Sequence, residues 1–170
     1  TNEVEAKKVN IEKRRQEDLN KIIKSIFPNT KFKQIVYHGG YNPGNKFNIP
    51  TNDGTLGKGI YFASKASADE YRGIMGSAPH LLGAVLNIQN PIILENTKDN
   101  NYSNHKKLTK EDRDKLIGNR ENKDGILFYD REGMEKYPHN NGDFNNEYVV
   151  FNPEQVHILS KKELSDIDKI

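Results

Sequence analysis

The chain contains no cysteine, which rules out a disulfide framework, a thiolate nucleophile and a cysteine-based zinc site, and leaves the redox compartment undetermined. Apolar residues are scarce as well, at 34% of 170 residues against 29% charged, and the mean hydropathy is −0.89. The core must therefore be concentrated in a few segments beneath a very polar surface. No apolar run approaches the length of a membrane span, and no signal peptide opens the chain. Charge of one sign is also missing. With 26 Lys and Arg against 24 Asp and Glu, the formal net charge is +2, too small to make nucleic acid an obligatory partner. The length suits one domain with a real core. The first residue is Thr1 and not Met, so the chain is expected to be a trimmed piece of something longer, with targeting information outside it.

What is present falls into two zones. Leu19, Ile22, Ile23 and Ile26 recur at helical spacing and predict an amphipathic helix ending before Pro28. The stretch 3–16 is charged almost throughout and reads as a solvated helix extension or linker. From Gln34 onward, short β-rich runs alternate with Gly, Asn and Pro. Strands are predicted over 35–38, 60–63, 82–88, 92–94, 125–129, 147–151 and 155–159. Two further helices are expected, one over 66–74 and one starting at Thr109, where Thr109-Lys110-Glu111-Asp112 reads as a capping box before Leu116 and Ile117. The stretches 95–108 and 131–146 read as loops. Many short strands with few helices imply an α+β domain of packed antiparallel sheets, without an internal repeat.

Several generic motifs fail on spacing. Gly54, Gly57 and Gly59 run in the reverse order of a dinucleotide fingerprint, and an aromatic strand follows where a Rossmann fold would place a helix. Gly57-Lys58 lacks both the leading Gly and the following Ser or Thr of a phosphate loop. His38, His80, His105, His139 and His157 show no paired ligand spacing, and Asp99-Asn100-Asn101 lacks the rest of a calcium loop. No metal is indicated.

Three short blocks in fixed order carry more information: Val36-Tyr37-His38-Gly39, then Gly57-Lys58-Gly59-Ile60-Tyr61-Phe62, then Asn146-Glu147-Tyr148-Val149-Val150-Phe151. Each reads as a strand bearing one polar group, and alone each would be bland. Together the blocks resemble the His, Tyr and Glu blocks of ADP-ribosyltransferases of the diphtheria-toxin and poly(ADP-ribose) polymerase type. Within that class, the phrase from Gly54 to Phe62 is most similar to domains of bacterial polymorphic toxins and phage polyvalent proteins. The resemblance spans 35–159 and is specific in the three blocks. It implies an ADP-ribosyltransferase fold, two packed and mainly antiparallel sheets forming a split β-sandwich around an NAD cleft with few flanking helices. Residues 1–33 would form a helical segment or linker and 34–170 the catalytic domain.

Transfer of ADP-ribose breaks the bond from ribose to nicotinamide through an oxocarbenium-like state, so the site must stabilise positive charge on the sugar. Glu147 stands at the head of a strongly apolar strand that would hold it rigidly, although taken alone it reads as a strand-edge Glu facing water. The resemblance gives it the 2′-hydroxyl of the nicotinamide ribose and the orientation of the acceptor. His38 is followed by two glycines, so backbone can come close to a ligand; taken alone it is a structural strand-end His. By resemblance His38 binds the adenosine-side ribose, and Gly39 pairs its backbone with the nicotinamide carboxamide. Tyr61 faces opposite to Ile60 and Phe62 and could wall a nicotinamide slot. The resemblance expects a second aromatic wall, for which Tyr71 is the candidate. Ser67, or second to it Ser64, is the candidate for a hydrogen bond to the carboxamide; either is otherwise a helix cap or a surface hydroxyl.

The resemblance thus implies an NAD+-consuming transferase, using NAD+ as substrate and no metal, as a toxin or effector domain acting in a cytoplasm, with an immunity protein as a possible partner. No helical regulatory domain of the nuclear-polymerase kind precedes the core, so mono-ADP-ribosyl transfer is expected over polymer synthesis. Arginine-modifying relatives carry a second glutamate where this chain has Asn145, which disfavours that specificity. The loop 131–146, with Tyr137, His139, Asp143 and Phe144, is expected to face a protein or nucleic-acid acceptor. The alternatives are an NAD+ glycohydrolase toxin, using water as acceptor, and a non-catalytic NAD-binding module.

Overall fold

A computed structural model describes residues 1–41, 43–51, 53–75, 80–96, 111, 114–115, 118, 120–136 and 142–170. A single long helix, α1 (Asn2–Ile26), opens the chain. Its residues up to Asp18 are exposed; its last turns place Leu19, Ile23 and Ile26 against Val85, Leu159, Leu164 and Ile167. The apolar stripe begins only where the body begins, so packing secures the C-terminal part of the helix alone.

The body is built on two sheets. β1 (Val36–Gly40), β5 (His80–Leu86) and β9 (Val156–Ile158) form an antiparallel sheet in the order β1-β5-β9. β4 (Ile60–Phe62), β8 (Glu147–Val150), β7 (Gly125–Asp130) and β6 (Pro91–Asn96) form the second, with β6 and β7 parallel and the other pairs antiparallel. A small hairpin, β2 (Asp53–Gly54) with β3 (Gly57–Lys58), precedes β4. Tyr37 and Ala63 exchange both backbone hydrogen bonds at 2.9 Å and join the two sheets. This is an α+β domain of two mainly antiparallel sheets, as the resemblance implies.

Alternation along the strands sorts the side chains. Val36, Ile60, Phe62, Leu86, Leu127, Tyr148 and Val150 share one buried cluster, while Leu56, Ile126, Phe128 and Val149 form another on the opposite face of the four-stranded sheet. Tyr61 packs with the second set, because period two turns it away from Ile60 and Phe62. Three further helices are described: α2 (Lys65–Met75), α3 (Arg131–Lys136) and α4 (Lys161–Asp168).

Three elements differ from the sequence-based expectation. The stretch 131–146 is not all loop, because Asp130 Oδ1 accepts the Gly133 N–H at 3.1 Å and starts α3. α4 follows a capping box in which Ser160 and Glu163 bond reciprocally. The charged stretch 3–16 is a solvated extension of α1, the first of its two expected readings. The β2–β3 hairpin replaces a loop. The helix expected from Thr109 falls largely outside the described residues, as do Tyr137, His139 and His105.

Candidate active site

A cleft of about 810 Å³ opens where the two sheets splay apart, within the size range of small-molecule sites. Its lining comes from β1 and α2 (His38, Gly39, Ser67 and Tyr71), from the hairpin and β4 (Gly54, Thr55 and Tyr61), and from β7, β8 and the turn before β8 (Asp130, Phe144, Asn145 and Glu147). All the residues singled out for NAD+ binding and catalysis except Ser64 therefore border one cavity; of the acceptor-loop candidates Phe144 lines it and Asp143 does not.

His38 sits near the end of β1 with its ring edge-on to Phe47, centroids 4.9 Å apart, and 5.7 Å from Phe62. Its Nδ1 lies 2.7 Å from the Tyr61 carbonyl oxygen. A carbonyl only accepts, so Nδ1 carries the proton and Nε2 is left as an acceptor. Burial pushes the His38 pKa below its ordinary value, and the bond to the Tyr61 carbonyl only partly offsets this. His38 is a neutral imidazole at pH 7.

Gly39 is held between the sheet and α2. A Cβ there would overlap the Ala68 carbonyl oxygen and crowd the Arg72 backbone nitrogen. The bare position thus admits the close approach of the helix. Because Tyr37 turns its N–H and C=O to Ala63, period two turns those of Gly39 to the same edge of β1, one step beyond the bridge and along the cleft.

Tyr61 is fixed at both ends. Its backbone lies in β4 opposite Val149; its hydroxyl donates to the Gly57 carbonyl at 2.6 Å and accepts from the Leu56 N–H at 2.7 Å. The ring lies over Gly54, where a Cβ would reach within 2.7 Å of the hydroxyl oxygen. The hairpin, absent from the sequence-based reading, is therefore the seat of this ring. Ser67 and Tyr71 are four apart on α2 and so share its cleft-facing side, with Tyr71 exposed. Ser64 is the capping serine: its Oγ accepts the Ser67 N–H at 3.3 Å.

Glu147 opens β8, paired with Phe128, and is partly buried. It lies two residues from Val149, which faces Tyr61 across the strand pair, so Glu147 and Tyr61 share one face of the sheet. Phe144 reaches the cleft from the preceding turn. The sequence reading missed Asp130, Phe47 and the hairpin; for Asp130 the available signal was an acidic residue ending an apolar strand just before a helix start. Among the described residues, no group of three or more His, Cys, Asp or Glu is placed to hold a metal ion.

A split pair of sheets around such a cleft is the form of an ADP-ribosyltransferase. The family described as ADP-ribosyltransferase in polyvalent proteins matches residues 33–164, and the chain belongs to it. Membership carries ADP-ribosyltransferase activity, with NAD+ as substrate, at the level of the family. No curated protein matches the chain. Among the described residues no helix is long and apolar enough to cross a membrane.

Proposed function

We propose that residues 34–170 form a catalytic domain that transfers a single ADP-ribose from NAD+ to a macromolecular acceptor, as an effector or toxin acting in a cytoplasm, where NAD+ is found. The observation that carries this reading is the shared face of Tyr61 and Glu147 at the cleft. In the reaction, the bond from ribose C1′ to the nicotinamide nitrogen breaks and its electron pair leaves on nicotinamide. The acceptor heteroatom bonds C1′ and gives up its proton at Glu147.

Each candidate group has a part. Glu147 offsets the positive charge developing on the sugar and holds the neighbouring ribose hydroxyl. Tyr61 and Tyr71 sandwich the nicotinamide ring, Gly39 and Ser67 bond its carboxamide, and neutral His38 accepts from the other ribose through Nε2. These groups orient the substrate so that departure of nicotinamide exposes C1′ toward the Glu147 end.

The test is incubation with labelled NAD+ and cell lysate, reading nicotinamide release and macromolecular label together. Glu147→Gln should lower transfer by about 10²–10³-fold, the size of losing one charge stabiliser, while NAD+ binding persists. Near-normal transfer by that variant would sink the assignment. Nicotinamide release without label would make the domain a glycohydrolase, and neither signal would make it a binding module.

A further inference from the structure

Behind the Glu147 end of the cleft lies a buried polar hub. Asp130, the last residue of β7, is 7% exposed. Its Oδ1 accepts from Asn96 Nδ2 at 2.8 Å and from the Gly133 N–H at 3.1 Å, and its Oδ2 accepts from Asn145 Nδ2 at 3.0 Å. The Asp130 N–H donates to Asn146 Oδ1 at 2.7 Å, and Asn146 Nδ2 donates to the Tyr148 hydroxyl at 3.1 Å. Both residues preceding Glu147 are therefore tied to Asp130, Asn145 through the carboxylate and Asn146 through the backbone.

An amide has a donating end and an accepting end, whereas a carboxylate only accepts. The Asn145 amide must turn its NH2 toward Asp130, which leaves Oδ1 directed away from it. Asn145 is exposed and lines the cleft two residues from Glu147. We infer that Asp130 sets the polarity of the Asn145 amide, so that the cleft presents a carbonyl oxygen to the incoming acceptor and recognises it as an N–H or O–H donor, not as a carboxylate or phosphate. This rests on the transferase reading above.

Local charge points the same way. Asp130 and Glu147 border one end of the cleft, and no lining residue among those described is Lys or Arg. An anionic acceptor would meet like charge there. Asp130 orients the acceptor through Asn145 and is a positioning residue.

The polarity can be inverted and restored. Asp130→Asn keeps the size and can still accept from Asn96 and Gly133, but its new NH2 faces that of Asn145. Two donors cannot bond, so the Asn145 amide turns over and offers N–H to the cleft. Adding Asn145→Asp supplies a carboxylate for the new amide at position 130 to donate to, and again leaves an oxygen toward the cleft.

The experiment compares wild type, Asp130→Asn and the double variant with labelled NAD+ and a cell lysate, reading the ratio of macromolecular label to released nicotinamide. Asp130→Asn should lower that ratio about tenfold or more, and the double variant should bring it back to within about threefold of wild type. A parallel fall of both signals without recovery in the double variant overturns the inference, as does label cleaved rapidly by neutral hydroxylamine, the mark of an ester to a carboxylate. If the wild type releases no nicotinamide, the transferase reading itself fails. The polarity is then decided by the side-chain amide NMR signal of Asn145: a slowly exchanging proton lost in Asp130→Asn upholds it, and fast exchange in both proteins overturns it.

Discussion

The Tyr61 hydroxyl donates to the Gly57 carbonyl at 2.6 Å while accepting the Leu56 N–H at 2.7 Å, so one side chain closes the turn of the β2–β3 hairpin. That hairpin has only two residue pairs, Asp53 with Lys58 and Gly54 with Gly57, too few to hold itself. Tyr61→Phe removes both hydroxyl bonds and leaves the Leu56 N–H and Gly57 carbonyl without them. The variant should lose about 1–3 kcal/mol of stability and bind NAD+ more weakly, while Tyr61→Ala should bind still more weakly because the ring is gone. Denaturant unfolding and calorimetric NAD+ titration read the two effects. A Tyr61→Phe protein as stable as wild type would show that the hairpin stands without the hydroxyl.

Arg120 braces the same hairpin from its other side. Its guanidinium lies 3.7 Å from the Phe151 ring centroid, and its Nη2 donates to the Lys58 carbonyl at 2.6 Å. Burial lowers its pKa, and the nearby Tyr61 and Asp53 oppose that shift; a guanidinium stays charged regardless. Removing the side chain with Arg120→Ala should cost about 1–2 kcal/mol, from the lost cation–π contact and hydrogen bond. Arg120→Lys should recover only part, since an ammonium cannot stack its plane on Phe151. The midpoints of urea unfolding for the two variants decide this; equal midpoints would mean that the planar contact contributes nothing.

These two contacts also show where sequence reading stops. The strands around His38, Tyr61 and Glu147 were legible because alternation and apolar runs are local signals, and they located the three groups in β1, β4 and β8. The hairpin was not, because Asp53-Gly54 and Gly57-Lys58 carry no strand propensity and are held by a hydroxyl and a guanidinium from elsewhere in the chain. Asp130 was equally hidden. Asn96, Gly133 and Asn145 donate to it, and only the fold brings these segments together. α4 was missed although Ser160-Lys161-Lys162-Glu163 spells its capping box, since Leu159 was read as the end of a strand.

Gly39 makes a separate prediction about packing. A methyl at this buried position would run into the Ala68 carbonyl oxygen, which is backbone and cannot swing aside. Gly39→Ala must therefore push α2, the carrier of Ser67 and Tyr71, off the sheet. The expected result is a loss of roughly 1–3 kcal/mol, typical of overpacking, with NAD+ binding falling further than stability because two lining residues move together. Gly73, on the same helix, has open space where its Cβ would sit, so Gly73→Ala should leave both properties near wild type. If the two alanine variants melt together, helix-to-strand contact at Gly39 is not what requires glycine.

The charge state of His38 ties stability and substrate binding to pH in one direction. Its pKa is lowered from 6.5, first by burial and with opposition from the Tyr61 carbonyl. The unfolded chain therefore takes up the proton before the folded one does. Stability conferred by neutral His38 is complete above the ordinary imidazole value and is lost as pH falls through the lower, folded value. Protonation also turns Nε2 from an acceptor into a donor, so under the proposed binding mode NAD+ affinity should weaken over the same acidic range. His38→Gln has no titration there and should bind weakly but evenly from about pH 8 to about pH 5. NAD+ titration is the sharper measurement of the two. His157, which bonds Glu163 at 2.9 Å in the β9–α4 region, does not line the cleft. A wild-type affinity as flat as that of His38→Gln would remove His38 from the ribose contact.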